Sequence, residues 1–331
     1  MTKQFDVLGI GNAIMDIIAP VPDQLLADHN IEKGGMTLID EATALTLHSA
    51  LNAAGDTREV AGGSAANTMV GIAQLGVSSA YMGKIASDDV GERFGKGITE
   101  SGLTFNTVPA QSGATGRCMI AVTPDGERSM STLLGAATDF TAADVDEDLV
   151  KNSAVVYLEG YLFNSDDTKA AFVKASEIAK AAGNQVSLTL SDSFCVELHR
   201  DSFKDLVENH VDILFANESE ILSLYETDNI DTALDALTKI NTVSCITRGE
   251  KGSVIQDQNR RYHVPAVPVD KVVDTTGAGD QYAAGVLAGR ALGLDWEKSG
   301  QLGSIAAAEV ISHYGARPET SNKALAKDLL S

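Results

Sequence analysis

Asp274-Thr275-Thr276-Gly277-Ala278-Gly279-Asp280 places two carboxylates around two glycines, directly before a helix-length run rich in Ala, Val and Leu. Gly277 and Gly279 have no Cβ, so the backbone can turn sharply and bring its N–H groups close to an anion. Those amides fall at a helix N-terminus, where unpaired donors and the helix dipole favour negative charge. A phosphoryl group in transfer is the kind of anion such a turn stabilises. A carboxylate in the first helical turn ordinarily caps it. Asp274 already serves the local donors, so Asp280 is read instead as the base that takes a proton from a substrate hydroxyl. The helix dipole is expected to hold its pKa low.

Gly62-Gly63-Ser64-Ala65-Ala66-Asn67 is a second glycine turn at a helix start, and the Asn67 amide can both donate to and accept from a hydroxyl. Asn12 and Asp16 follow the first strand-like run, at the edge where α/β sheets place ligands. Asp16 is either a solvated charge or a grip on two sugar hydroxyls. Asn217-Glu218-Ser219-Glu220 reads as a capping box, and the same pair, Asn217 and Glu220, can hold water on a magnesium ion. Thr247-Arg248-Gly249-Glu250-Lys251-Gly252 ends another strand with glycines and positive charge, suited to nucleotide phosphates.

Other chemistries lack their residues. Gly9-Ile10-Gly11-Asn12 invites a dinucleotide reading, but Ile14 stands where the third glycine belongs. No G-x-x-x-x-G-K-[ST] loop, serine-hydrolase elbow or CxxC is present, and the six histidines have no metal-ligand spacing. Net charge is −21, from 46 acidic and 25 basic residues, with no Lys/Arg run to track a phosphate backbone, so nucleic acid is not an expected partner. No apolar window is long enough for a membrane helix, and Phe5–Val21, interrupted by Asp6 and Asp16, reads as a strand and not a signal peptide. Three scattered cysteines fit a reducing compartment, and a cytoplasmic location is expected.

These residues must be held by a frame. Strand-like runs at Phe5–Ile10, Ala80–Lys84, Val155–Glu159, Val186–Leu190, Ile213–Ala216 and Val243–Thr247 alternate with helical stretches such as Ser64–Leu75, Val90–Ser101, Thr168–Ala182, Glu218–Tyr225 and Thr232–Ile240. That alternation predicts an α/β fold, a doubly wound, mostly parallel sheet flanked by helices. A hairpin, Ser253–Gln256 with Tyr262–Val264 around Asp257-Gln258-Asn259-Arg260, follows, then an extended segment Val267–Val273 and helices Ala278–Leu292 and Trp296–Ser312. Parts of 17–61 and 113–134 break the rhythm. They are expected to form a small β-sheet lid on a single domain spanning 1–331, with strands Arg117–Thr123 and Arg128–Leu134.

Taken together, the motifs resemble the ribokinase/PfkB carbohydrate kinase family over essentially the whole chain. Val273 to Asp280 is similar to its second signature, and Gly83 to Gly102, with Asp88-Asp89-Val90-Gly91, to its first. The resemblance implies ATP and Mg2+, with Asp280 as catalytic base and the amides of Gly277, Ala278 and Gly279 as anion hole. It places Asn217 and Glu220 on magnesium, Thr247, Gly249 and Gly252 on the nucleotide, and Asn12, Asp16, Gly62, Gly63, Ser64 and Asn67 on the acceptor. Arg128 would reach the phosphates from the lid. A monovalent cation, K+, beside Asp274 and Thr276 is common in the family.

The Gly11 to Ile17 opening, the long interval between Asp16 and Gly62, and Leu158-Glu159-Gly160-Tyr161-Leu162 look most like the adenosine kinase branch, although Thr276 replaces the asparagine of many eukaryotic members. In that branch the acceptor is the 5′-hydroxyl of adenosine, with Tyr161, Met36 and Leu38 beside the purine. The alternatives are a free sugar, inosine or guanosine as acceptor, or a nucleoside-binding regulator without turnover, against which the intact Asp280 argues. The branch suggests a monomer, ribokinases a homodimer.

Overall fold

The computed structural model describes residues 3–258 and 260–330; Asn259, in the expected hairpin turn, lies outside them. The chain opens with β1 (Phe5–Ile10), β2 (Ile14–Pro20), α1 (Asp23–Asp28), β3 (Met36–Leu38), α2 (Glu41–Ala54), β4 (Arg58–Gly62) and α3 (Ser64–Gln74). Then come β5 (Ser79–Met82), α4 (Asp89–Glu100), β6 (Thr104–Phe105), β7 (Gly116–Val122), β8 (Arg128–Leu133), α5 (Glu147–Lys151), β9 (Ser153–Glu159) and α6 (Asp166–Ala181). The second half runs β10 (Gln185–Thr189), α7 (Ser193–Asn209), β11 (Ile213–Asn217), α8 (Glu218–Tyr225), α9 (Ile230–Leu237), β12 (Val243–Thr247), β13 (Ser253–Asp257) and β14 (Arg260–Val264). Helices α10 (Ala278–Ala291), α11 (Trp296–Val310) and α12 (Asn322–Leu325) follow.

The large sheet has the order β14-β13-β12-β11-β10-β9-β1-β5-β6, parallel from β6 through β12 and antiparallel across β13 and β14. Its strands are apolar on both faces, as burial between two helical layers requires. Period-two alternation sorts them. Val7, Tyr81, Tyr157 and Phe215 join one core with α3, α10 and α11, while Leu8, Met82, Leu158 and Leu214 join another with α6 to α9. Helix α3 packs tightly because Gly71 leaves no room for a Cβ against the Gln281 side chain of α10.

The smaller sheet has the order β3-β8-β7-β2-β4. Met15, Ile17, Met119 and Ala121 face Leu47 and Leu51 of α2, while Ile14, Cys118 and Ile120, with Ile18 and Met130, cover the opposite face. By that alternation Asp16 shares the second face.

One expectation needs correction. Phe5–Val21 is two strands in different sheets, because the chain breaks after Ile10 and β2 leaves for the small sheet, which therefore begins at Ile14, ahead of residue 17. Val267–Val273 is extended sequence without a strand partner; its end is held by the Val273 and Asp274 N–H groups donating to the Ile311 carbonyl at 2.8 and 3.4 Å.

Candidate active site

Parallel strands end together on one side of the sheet, and the site residues collect at that edge. Asn217 and Thr247 are register partners on β11 and β12, as are Glu159 and Thr189 on β9 and β10. Across the edge lie the N-termini of α3 and α10. Each starts from a glycine with positive φ, Gly63 at 98° and Gly277 at 79°. Neither position has room for a side chain. A Cβ at Gly63 would fall on the Asn12 carbonyl, and one at Gly277 would lie 2.6 Å from Ala316 Cα.

The two helix starts meet at Asp280. Its Oδ1 accepts from Ser64 Oγ at 2.6 Å and its Oδ2 from Asn67 Nδ2 at 3.3 Å. Burial pushes the carboxyl up to about 6, the two hydrogen bonds pulling the other way. This corrects the low pKa expected from the helix dipole: desolvation outweighs a dipole placed at the same point. In the glycine turn the Ala278 N–H donates to the Thr275 carbonyl at 3.2 Å, so in this conformation it is turned inward. Gly277, Gly279 and Asp280 have no backbone acceptor for their N–H groups among the described residues.

Asp16 stands on β2 beside Gly62, whose missing Cβ makes room for the carboxylate. Burial raises it to about 7 against the pull of Arg317 and Arg128, with Asp280 adding to the rise. No hydrogen bond holds it among the described residues. Asn12 is buried, but its Nδ2 and backbone N–H donate to Glu159 Oε1 at 2.9 and 3.3 Å, leaving Oδ1 without a partner. One amide hydrogen is therefore committed to the protein, while Oδ1 remains open to accept from a substrate hydroxyl. Glu159, 1% exposed, also accepts from the Ala65 N–H at 2.8 Å, and burial lifts it to about 7. It ties the end of β1 to the start of α3. As a strand-end Glu it carried no spacing signal.

Arg128 comes from β8 and pairs with Asp274 Oδ2, which also accepts from the Gly315 N–H at 2.9 Å. Asp274 Oδ1 accepts from the Thr276 N–H at 3.0 Å. Burial opposes its ionisation, yet these donors and the guanidinium hold Asp274 below the usual carboxylate range. Arg128 is thus engaged by protein, where the sequence reading sent it to phosphates.

On the opposite flank, Asn217 and Glu220 close a complete capping box: Glu220 N–H to Asn217 Oδ1 is 2.8 Å, and Asn217 N–H to Glu220 Oε2 is 3.0 Å. Glu220 is nevertheless raised to about 7, by burial and by Asp192. Uncompensated negative charge of that kind fits a hydrated divalent cation, reached through water. Thr247 is half-buried and Gly249 exposed at φ 58°. Gly252 is buried, and a Cβ there would strike the Val264–Ala266 backbone. Tyr161 is 37% exposed, its N–H donating to Ser191 Oγ at 3.2 Å. Met36 and Leu38 are 54% and 59% exposed on β3.

The segment after α11 was missed. Gly315 holds Asp274, Ala316 accepts from Gln281 Nε2 at 3.1 Å, and Arg317 Nε donates to Asn67 Oδ1 at 3.2 Å. Glu309 Oε1 anchors it through the N–H groups of Glu319 and Thr320 at 3.0 and 2.6 Å.

The four raised carboxyls set a pH dependence. Asp16, Glu159 and Glu220 near 7 and Asp280 near 6 keep protons that the unfolded chain has released from about pH 4 upward. The folded state then binds more protons, and stability falls as pH rises through that window. Tm of the ligand-free protein is expected to climb as pH drops from about 8 to about 5, and to turn over near pH 4 as the depressed carboxyls Asp88 and Asp274 protonate. Thermal melts across the range check this; a flat or rising Tm between about pH 5 and 7 would sink it.

A glycine turn at a helix start, a half-buried carboxylate and a second, smaller β-sheet are the parts of a phosphotransferase with an alcohol acceptor. Residues 28–323 match the pfkB family of carbohydrate kinases, and the chain belongs to that family. A probable sugar kinase from Rhizobium etli CFN 42 is 44% identical in sequence, with TM-score 0.90 and 99% of each chain covered. The adenosine kinase of Sinorhizobium meliloti is 45% identical, with TM-score 0.89, over 98% of this chain and 99% of that one. Adenosine kinase of Saccharomyces cerevisiae is 29% identical over 325 residues, 92% of this chain and 94% of the yeast protein. Family membership makes the protein a kinase that uses ATP, usually with Mg2+. Among the described residues no helix is long and apolar enough to cross a membrane.

Proposed function

We propose that the protein transfers the γ-phosphoryl group of ATP to the 5′-hydroxyl of adenosine, giving AMP and ADP. The observation that carries this reading is the placement of two unlike carboxylates near enough for the charge of one to raise the other's pKa. Asp280 is held by Ser64 and Asn67 at the glycine turn, and Asp16 has no hydrogen bond of its own beside the apolar face of Ile14, Ile18 and Cys118. A diol on Asp16 directs a primary hydroxyl toward Asp280, and an apolar face suits a purine. The adenosine kinases among the relatives support the choice of acceptor.

In the mechanism, Asp280 receives the hydroxyl proton while the free N–H groups of the glycine turn stabilise the charge on the phosphoryl oxygens. Asn217 and Glu220 would hold a magnesium ion through water, and the ion would supply positive charge at the phosphates. The closing sheet carries Arg128, which exchanges Asp274 for phosphate. A monovalent cation such as K+ beside Asp274 and Thr276 would compete with Arg128 for the same carboxylate. Purified protein with ATP and magnesium is expected to phosphorylate adenosine with higher kcat/KM than inosine, guanosine, ribose or fructose. A free sugar ranking first would overturn the adenosine reading and leave the kinase class intact; no turnover with any acceptor would favour a nucleoside-binding regulator.

A further inference from the structure

Asn67 has an amide with two nearly isosteric ends, and only one of them suits its place. Its Nδ2 faces Asp280 Oδ2 at 3.3 Å; with the amide turned over, an oxygen would face a carboxylate oxygen. Nothing in α3 itself decides between the two orientations, since the N-cap Gly63 has no side chain. The decision comes from Arg317, 250 residues away, whose guanidinium carries donors only. Its Nε donates to Asn67 Oδ1 at 3.2 Å, one terminal nitrogen donates to the Ala61 carbonyl on β4, and the other approaches Ser101 Oγ at 3.4 Å. The guanidinium is desolvated enough that burial lowers its pKa to about 10. Its backbone is anchored by the helix that bears the base: Gln281 Nε2 donates to both Ala316 O and Asn67 O, each at 3.1 Å.

We propose that Arg317 is a positioning residue for the acceptor: it locks the Asn67 amide with Nδ2 toward Asp280 and ties that amide to β4 of the small sheet. The proposal rests on Asp280 being the base and Asn67 lying on the acceptor side. Arg317 touches neither the glycine turn's amides nor the Asn217–Glu220 flank, so its action is confined to acceptor alignment. A planar fork is required, because a lysine ammonium reaching Asn67 Oδ1 cannot also hold Ala61 and Ser101 in the same geometry.

The test is a double-mutant cycle between Arg317→Met, which keeps the apolar stem, and Asn67→Ala, with Arg317→Lys as a partial restoration. It is run with whichever acceptor the wild type phosphorylates, and Tm is measured for every variant. Arg317→Met is expected to lower kcat/KM for the acceptor by about 10- to 100-fold, mostly through kcat, while KM for ATP moves less than about twofold. Arg317 also opposes the proton on Asp16, a contribution that does not pass through Asn67, so in the Asn67→Ala background the same substitution should cost less than it does in wild type without vanishing, and Arg317→Lys, which keeps the charge, should lie between wild type and Arg317→Met. Equal losses with and without Asn67, or a KM for ATP that rises as much as that for the acceptor, would overturn the proposal. If Arg317→Met does not fold, Arg317→Lys in the two backgrounds decides by the same non-additivity. Failure of the adenosine reading shows separately, as a wild type inactive on adenosine.

Discussion

Asp280→Asn is expected to fold, to bind nucleotide and acceptor with near wild-type KM, and to lose about 10²–10⁴ in kcat. The substitution keeps the shape, and the Asn carbonyl oxygen can still accept one of the two bonds now made by Ser64 Oγ and Asn67 Nδ2. What disappears is the proton acceptor. A carboxylate raised to about 6 is ionised at neutral pH, yet holds a proton better than an ordinary Asp, which matches it to an alcohol that acidifies only as the phosphoryl group arrives. The acid limb of the wild-type kcat profile should follow that group and be missing from the variant. Steady-state kinetics over about pH 5 to 8 checks both points, and a variant retaining more than about a tenth of kcat would remove Asp280 from the base role.

Asp16→Ala is expected to lower kcat/KM for the acceptor by about 10²–10⁴. Hydrogen bonds to a charged group contribute about 1.5–3 kcal/mol each, and two hydroxyls on one carboxylate give roughly twice that. Asp16 is placed for this because the protein provides it no hydrogen bond, while Arg317 and Arg128 oppose the proton that burial would otherwise leave on it. The diagnostic comparison uses a 2′-deoxynucleoside. Wild type should discriminate against it by about tenfold or more, and Asp16→Ala should not. Discrimination surviving in the variant would move the diol contact elsewhere.

The parts of the site legible in sequence were those whose residue type encodes a backbone requirement. Gly63 and Gly277 sit where a Cβ would strike Asn12 and Ala316, and the helices that follow begin where the glycine turns placed them. Strand-and-helix alternation gave the large sheet to within a few residues, since strands buried on both faces are continuous apolar runs. Local pattern failed where the partner is distant. The break between β1 and β2 depends on which sheet each joins, so Phe5–Val21 read as one strand. Arg317 is a lone cation in a polar segment, and nothing nearby signals Asn67. The raised pKa of Asp280 and the commitment of Asn12 to Glu159 are products of burial, which no spacing expresses.

The bracket of residues 311–320 has a consequence for the order in which the molecule is built. Its contacts to Asn67, Ala61 and Asp274 close loops of 250, 256 and 41 residues, and the first two are among the most expensive closures in chain entropy. The large sheet can assemble strand by strand as synthesis proceeds, but the acceptor side cannot be completed until this late segment has emerged and docked. The kinase should therefore acquire its scaffold well before its chemistry, and a chain still on the ribosome short of residue 317 would carry a formed sheet and an unfinished acceptor site.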